Sequence, residues 1–233
     1  MASFVLVHGA WHGGWCYRRV AKILRAEGHD VFTPTLTGLG ERSHLLRADT
    51  NLDTHIADVV NVIWWEELDD VILVGHSYGG VVVTGVADAI PYKLRAVVYL
   101  DAFVPEDGDS TMSFLAQERQ ATMLRDAEAY GGIAVAAPPP ELYGVNQDDI
   151  EWVRRNLTPQ PMGTLQQAIR LTGNHRKPKR TYVYAKGEVI SAPFYEMCLR
   201  DPTWTVLVTE RGGHDQMVDD PATIAEILMK LAA

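Results

Sequence analysis

The sequence is short of three things, and each shortage excludes a class of function. Two cysteines, Cys16 and Cys198, are present in 233 residues, too few for a disulfide framework or a cysteine-based metal cluster, and compatible with a reducing cytoplasm as the expected location. Basic residues are also scarce: 21 lysines and arginines stand against 30 acidic residues, a formal net charge of -9. Such a chain offers no broad positive field, so neither nucleic acid nor an anionic membrane is expected as a partner. The third shortage is of long apolar runs, none of which approaches the roughly 18 residues of a membrane span. The apolar segment Phe4 to Val7 has no basic leader before it, so the fold is expected to begin at residue 3 or 4 with no obvious export signal.

What is present has the composition of a globular domain. Hydrophobic residues make up 47% of the chain, enough for one sizeable core and cramped for two, so residues 1–233 are expected to form a single domain. Four apolar residues from Val71 run directly into Gly75-His76-Ser77-Tyr78-Gly79-Gly80. This reads as a strand, a tight turn and a helix start. In a G-x-S-x-G turn the glycines let strand and helix pass closely while the strained serine exposes its hydroxyl, which makes Ser77 a nucleophile candidate.

The chain before this elbow alternates in the same way. Phe4 to Val7 reads as a buried parallel strand ending in the loop His8-Gly9-Ala10-Trp11-His12-Gly13-Gly14-Trp15. The loop lacks the lysine followed by serine or threonine of a phosphate-binding loop, so its glycines are better used to present backbone N–H groups to a developing oxyanion. A helix from Trp15 to Glu27, a strand from Asp30 to Thr33, a helix from Leu52 to Trp65, a helix from Val81 to Ala89 and a strand from Leu94 to Leu100 follow from apolar spacing. Arg42, in the loop after Pro34, is expected to be a surface or structural ion-pair partner. Alternating strands and helices predict a mostly parallel α/β sheet covered on both faces, with Ala10, Ser77 and Asp101 on one rim.

Between residues 102 and 179 the pattern changes to glycine- and proline-punctuated short helices, at Ser113 to Ala129, Asp148 to Asn156 and Thr164 to Thr172. This reads as an inserted helical cap. Its large apolar residues, with Trp11, supply candidate walls for a substrate pocket: Phe103, Leu115, Met123, Tyr130, Trp152, Met162 and Leu165. Sheet patterning returns at Thr181 to Ala185 and Trp204 to Val208, whose outgoing loops carry Glu188 and His214, and a helix from Pro221 to Leu231 closes the chain.

The elbow, the histidine- and glycine-rich first loop and the late Gly212-Gly213-His214 together resemble the alpha/beta-hydrolase superfamily. The resemblance spans almost the whole chain and is strongest to the branch of plant methylesterases, hydroxynitrile lyases and small bacterial carboxylesterases, some acting on pyrethroid-type esters. It implies Ser77 as nucleophile, His214 as base and an acid after the penultimate strand. Glu188 stands at that place and is expected to hold Nδ1 of His214, although the resembling plant enzymes usually carry aspartate there. Asp101 is the rival acid, and Asp215 ranks below both, as a wall or surface charge. The backbone N–H groups of Ala10 and Tyr78 would form the oxyanion hole, with His8, His12, Trp11 and Trp15 supporting the first loop. No metal and no organic cofactor is expected.

The expected reaction is hydrolysis of small to medium hydrophobic carboxylic esters, aromatic or xenobiotic ones included, through an acyl-enzyme. Hydroxynitrile-lyase chemistry is the first alternative; it is opposed by Gly9 and Asp215, where such lyases carry threonine and lysine. An inactive hydrolase-fold ligand-binding protein is the second. A homodimer is compatible with the sequence, and no local feature specifies it.

Overall fold

The computed structural model describes residues 1–232. The apolar runs form strands β1 (Ser3–Val7), β2 (Asp30–Phe32), β3 (Val71–His76) and β4 (Leu94–Leu100), then a two-residue pair β5 (Ala134–Val135) and β6 (Gln160–Pro161), then β7 (Lys179–Ala185) and β8 (Trp204–Thr209). Six of them make one sheet in the order β2-β1-β3-β4-β7-β8, every neighbouring pair parallel. The other two make a small antiparallel ribbon.

Parallel neighbours need crossovers, and helices supply them. They are α1 (Arg18–Ala26), α2 (Leu52–Trp65), α3 (Gly79–Ala89), α4 (Gln117–Ala127), α5 (Ile150–Asn156), α6 (Met162–Gln166), α7 (Ala192–Arg200), α8 (Gln216–Asp219) and α9 (Pro221–Ala232). Alternating strand residues feed two cores, one on each sheet face. Val5, Val7 and Leu73 pack with Val59 and Ile63 of α2 and Val82, Val83 and Val86 of α3. Phe4, Leu6, Ile72 and Val74 pack with Val20 and Leu24 of α1 and Ile224 and Leu228 of α9. A sheet covered on both faces explains why β3 is buried at every position and reads as a continuous apolar run.

The expected elements fall close to the observed ones, with differences that have local causes. The helix expected from Thr164 to Thr172 ends at Gln166. Beyond it, the N–H groups of Ile169, Leu171 and Thr172 are taken by Asp109 O, Asp107 Oδ1 and Asp88 Oδ2, so tertiary acceptors replace the helical ladder. A 3-10 turn at Thr111–Phe114 precedes α4, and α7 has no counterpart among the expected helices. Arg42 is the structural residue expected of it, donating to Thr35 O and pairing with Asp58 at 3.1 Å.

The register of the sheet places the chemistry. His76 at the end of β3 pairs with Leu100 at the end of β4, and Leu100 pairs with Val183 of β7. Ser77 and Asp101 therefore leave the sheet side by side from adjacent parallel strands, at its carboxyl edge.

Candidate active site

Ser77 has φ of 53° and Asp101 has φ of 46°, left-handed conformations that cost a non-glycine residue about 1 kcal/mol or more. Backbone hydrogen bonds hold the serine turn: Ser77 N donates to Leu100 O at 3.3 Å, and its carbonyl accepts from Gly80 N and Phe103 N at 3.0 and 3.1 Å. The turn also needs residues without side chains. A Cβ at Gly75 would lie 2.6 Å from Gly79 O, and one at Gly79 would lie 2.7 Å from His8 O, so strand, helix and first loop meet only because both positions are bare.

His214 comes from the loop after β8 and is almost fully buried. Its Nδ1 lies 2.6 Å from Asp101 Oδ2. Asp101, 1% exposed, is itself fixed through its other oxygen, which accepts from Ser191 Oγ at 2.6 Å and Ala185 N at 3.1 Å. Because Oδ2 can only accept, Nδ1 carries the proton and Nε2 carries the lone pair. Burial alone would lower the His214 pKa, but the bond and charge of Asp101, with the charges of Asp215 and Glu188, outweigh it and raise the value above that of an ordinary histidine.

The expectation that Glu188 holds Nδ1 is corrected here, since Asp101 fills that position. The physical reason is strand adjacency: β4 lies next to both β3 and β7, so Asp101 emerges beneath the imidazole, whereas Glu188 sits on the outgoing loop of β7. Glu188 remains close, with a carboxylate oxygen, a His214 ring nitrogen and an Asp101 oxygen all within 4.8 Å of one another. Among the described residues this is the one acid-histidine group near enough to share an ion, and the direct 2.6 Å bond between two of its members occupies the space an ion would need.

Ser77, His214, Ala10 and Tyr78 line one cavity of about 100 Å³. No direct hydrogen bond joins Ser77 to His214, a spacing that substrate binding commonly tightens. The amides of Ala10 and Tyr78 donate to no acceptor among the described residues, and Tyr78 stands at the N-terminus of α3, where the helix dipole favours negative charge. Larger clefts exist, one of about 450 Å³ around Trp204 and Arg180; that cleft contains neither the serine nor His214.

The first loop is held from beneath by its histidines, as the sequence suggests. His8 Nδ1 donates to Gly9 O at 2.8 Å while its Nε2 accepts from Leu36 N at 3.0 Å, and burial lowers its pKa to about 3, keeping it neutral. Gly9 O belongs to the same peptide as Ala10 N, so this bond both orients and polarises the amide that faces the cavity. His12 Nδ1 lies 2.8 Å from Ala10 O and its Nε2 lies 3.1 Å from Asp215 Oδ2. Asp215 is thus no wall or surface charge but a fully buried partner of His12. Burial pushes its carboxyl up, yet the charge and bond of His12, with His76 and His214, hold it at about 2. His76 does not reach the serine proton; its Nε2 donates to His214 O at 3.0 Å. Trp11, with φ of 65°, is pinned by the β5-β6 ribbon, donating from N to Gln160 Oε1 at 2.8 Å and from Nε1 to Val135 O at 3.1 Å.

Of the expected pocket residues, Trp11, Phe103, Leu115, Met123 and Leu165 line the cavity. Three do not. Tyr130 lines a separate cleft with Pro138 to Pro140; Trp152 stacks edge-on against Trp15 under Arg19 on another face; Met162 is 2% exposed within the core. The cavity also contains Arg119, Leu142, Tyr143 and Ile190, which sequence reasoning missed. Leu142 and Tyr143 follow the three prolines at residues 138–140 and lie in or beside the 3-10 turn Pro140–Tyr143, and that proline run is the signal that could have placed them near the rim.

No helix among the described residues is long and apolar enough to cross a membrane. The alpha/beta hydrolase family matches residues 4–227. A carbendazim hydrolyzing esterase of Nocardioides sp. (strain SG-4G) is 49% identical over 246 residues, covering 100% of this chain and 99% of its own length. Among solved structures, an extracellular alpha/beta-hydrolase from a Paenibacillus species superposes with a TM-score of 0.87 at 23% identity, covering 99% of each chain. A pyrethroid hydrolase from Sphingobium faniae JZ-2 superposes with a TM-score of 0.82 at 22% identity, covering 99% of this chain and 97% of its own. The strand order, the serine elbow and the match over nearly the whole length lead to one conclusion: the chain belongs to the alpha/beta hydrolase family.

Proposed function

We propose that this protein hydrolyses small to medium hydrophobic carboxylic esters through Ser77, His214 and Asp101. The observation that carries the reading is the 2.6 Å bond between His214 Nδ1 and Asp101 Oδ2, at a cavity lined by Ser77 and by two unengaged backbone amides. Asp101 holds the proton on Nδ1. His214 Nε2 accepts the Ser77 hydroxyl proton as the serine oxygen attacks the ester carbonyl, and the tetrahedral oxyanion is met by the amides of Ala10 and Tyr78. His214 then protonates the departing alcohol. Water, deprotonated by the same imidazole, cleaves the acyl-enzyme and restores Ser77.

The segment between β4 and β7 acts as a cap, since it contributes Phe103, Leu115, Met123 and Leu165 to the cavity walls. These favour an apolar, aromatic-tolerant substrate. The names of its relatives put carbendazim and pyrethroid esters on the panel to be tested. Lyase chemistry is disfavoured further by the geometry: a Cβ at Gly9 would lie 2.8 Å from His76 Nδ1 and 3.0 Å from Ser77 Cβ, leaving no room for the threonine of such lyases. The two cysteines, both free and buried, suit a cytoplasmic protein.

The test is an ester panel varied separately on the acyl and alcohol sides and read as kcat/KM, with Ser77→Ala as background. An activated organophosphonate should label wild type and leave Ser77→Ala unlabelled. A folded wild type that neither takes up the phosphonate nor turns over any ester would end the proposal.

A further inference from the structure

The Ala10 amide can meet an oxyanion only if the chain on both sides of it is held still. Two peptide planes flank this residue. On one side Gly9 O, in the plane of Ala10 N, accepts from His8 Nδ1 at 2.8 Å. On the other, the plane shared by Ala10 O and Trp11 N is gripped at both edges: His12 Nδ1 lies 2.8 Å from Ala10 O, and Trp11 N donates to Gln160 Oε1 at 2.8 Å. Gln160 comes from the cap, 149 residues further along the chain, and is fully buried.

Trp11 needs this grip. Its φ of 65° is left-handed, a conformation that a bulky side chain keeps only where its surroundings enforce it. The ribbon of β5 and β6, with Thr158 just before it, does so through three hydrogen bonds. Trp11 N meets Gln160 Oε1, Trp11 Nε1 donates to Val135 O at 3.1 Å, and Trp11 O accepts from Thr158 N at 2.9 Å. Gln160 is fixed in turn, since its Nε2 donates to Thr164 Oγ1 at 2.7 Å and that hydroxyl donates to Pro161 O at 2.6 Å. With its donor end taken by Thr164, the side-chain amide has only its oxygen to offer Trp11 N. Thr164 also bears on the other half of the hole: burial raises the pKa of the Tyr78 hydroxyl, and a side-chain hydrogen bond of Thr164 opposes the rise.

We infer that Gln160 is a positioning residue for the oxyanion hole, through which the cap sets the Ala10 amide by holding Trp11 N. The inference rests on the ester-hydrolase reading. Without the Gln160 acceptor, Trp11 N becomes a buried donor with no partner. Turning over the Ala10–Trp11 peptide relieves both that loss and the left-handed φ, and it carries Ala10 away from the setting in which its N–H faces the cavity. Gln160 is not among the residues lining the cavity, so it acts on the transition state through the loop and not on the fit of the substrate.

Two esters of one shape separate positioning from packing: 4-nitrophenyl acetate and its thiono analogue, in which sulfur replaces only the carbonyl oxygen. Sulfur is larger and a weaker hydrogen-bond acceptor, so the thionoester gains little from amides set for oxygen. Both release 4-nitrophenol. The readout is the ratio of kcat/KM for the oxygen ester to that for the thionoester, which does not depend on the fraction of folded enzyme. Gln160→Leu should lower this ratio about 10-fold or more. Gln160→Glu keeps an acceptor for Trp11 N and, neutral in its buried site, a donor for Thr164, and should stay close to wild type. Thr164→Val leaves Gln160 Nε2 without its acceptor; it should lower the ratio by a smaller factor, and it carries the test where Gln160→Leu does not fold. An unchanged ratio in the folded variant, with both esters slowed alike, would overturn the inference and leave Gln160 as packing. Absence of turnover of both esters by wild type, together with no labelling by an activated organophosphonate, would instead remove the ester-hydrolase reading itself.

Discussion

Replacing Asp101 by asparagine tests the assignment of the acid most severely, because the surroundings dictate how the new side chain must sit. Ala185 N, a backbone amide that can only donate, bonds Asp101 Oδ1 at 3.1 Å. An asparagine in this place keeps its carbonyl oxygen toward Ala185 N and Ser191 Oγ, so its NH2 group takes the position of Oδ2. That group then points its hydrogens at His214 Nδ1, which must become the bare nitrogen. The proton moves to Nε2, the atom that has to receive the Ser77 proton. Loss of the correct tautomer is expected to lower kcat by roughly 1,000- to 10,000-fold, or about 4 to 5.5 kcal/mol of barrier at about 1.4 kcal/mol per factor of ten. The assay is steady-state hydrolysis of an activated ester, with thermal unfolding to establish that Asp101→Asn and Glu188→Gln are both folded. If Asp101→Asn kept more than about a tenth of the wild-type kcat while Glu188→Gln lost it, the tautomer argument would be wrong and Glu188 would be the acid.

Other consequences follow from the same contacts. Ser191→Ala removes a 2.6 Å hydrogen bond to Asp101 and should lower kcat by roughly 5- to 30-fold with KM little changed, read by separate determination of the two constants; a change confined to KM would contradict the positioning role. The pH profile should show its acid limb above the ordinary histidine value of 6.5, because the pKa of His214 is raised in the fold and only its neutral form accepts the serine proton, so activity disappears as pH falls through that raised value. A midpoint below 6.5 would refute it. Asp215→Asn removes the fully buried carboxylate that His12 Nε2 meets at 3.1 Å and should destabilise the fold by about 1 to 3 kcal/mol, seen in urea unfolding at neutral pH. Its carboxyl sits at about 2 against an ordinary 3.8. Stability from this group is accordingly present above about pH 4 and is lost as pH falls toward 2 in wild type, and the variant should lack that component. An unchanged unfolding midpoint for Asp215→Asn would mean that the His12 pair holds nothing together.

The strands and the nucleophile are legible in the chain because they rest on local rules. A strand buried on both faces needs an unbroken apolar run, and a strand-to-helix reversal around Ser77 needs the bare Gly75 and Gly79. Pocket residues are less legible, since Met162 and Leu165 share one short helix yet only the second reaches the cavity, a distinction of side-chain direction that composition does not carry. Asp215 illustrates the opposite limit: nothing near it in sequence reveals that His12, more than two hundred residues earlier, is its hydrogen-bond partner.

The choice of acid depends on still another kind of information. Glu188 and Asp101 both follow strands of the same sheet, and chain order alone favours the one nearer to His214 in sequence. What decides is which strand lies beside β3. Pairing of His76 with Leu100 carries Asp101 out next to Ser77, and pairing of Leu100 with Val183 supplies Ala185 N to fix its carboxylate. A long-range pairing, absent from any window of sequence, thus singles out one of two similar acids to sit at His214 Nδ1.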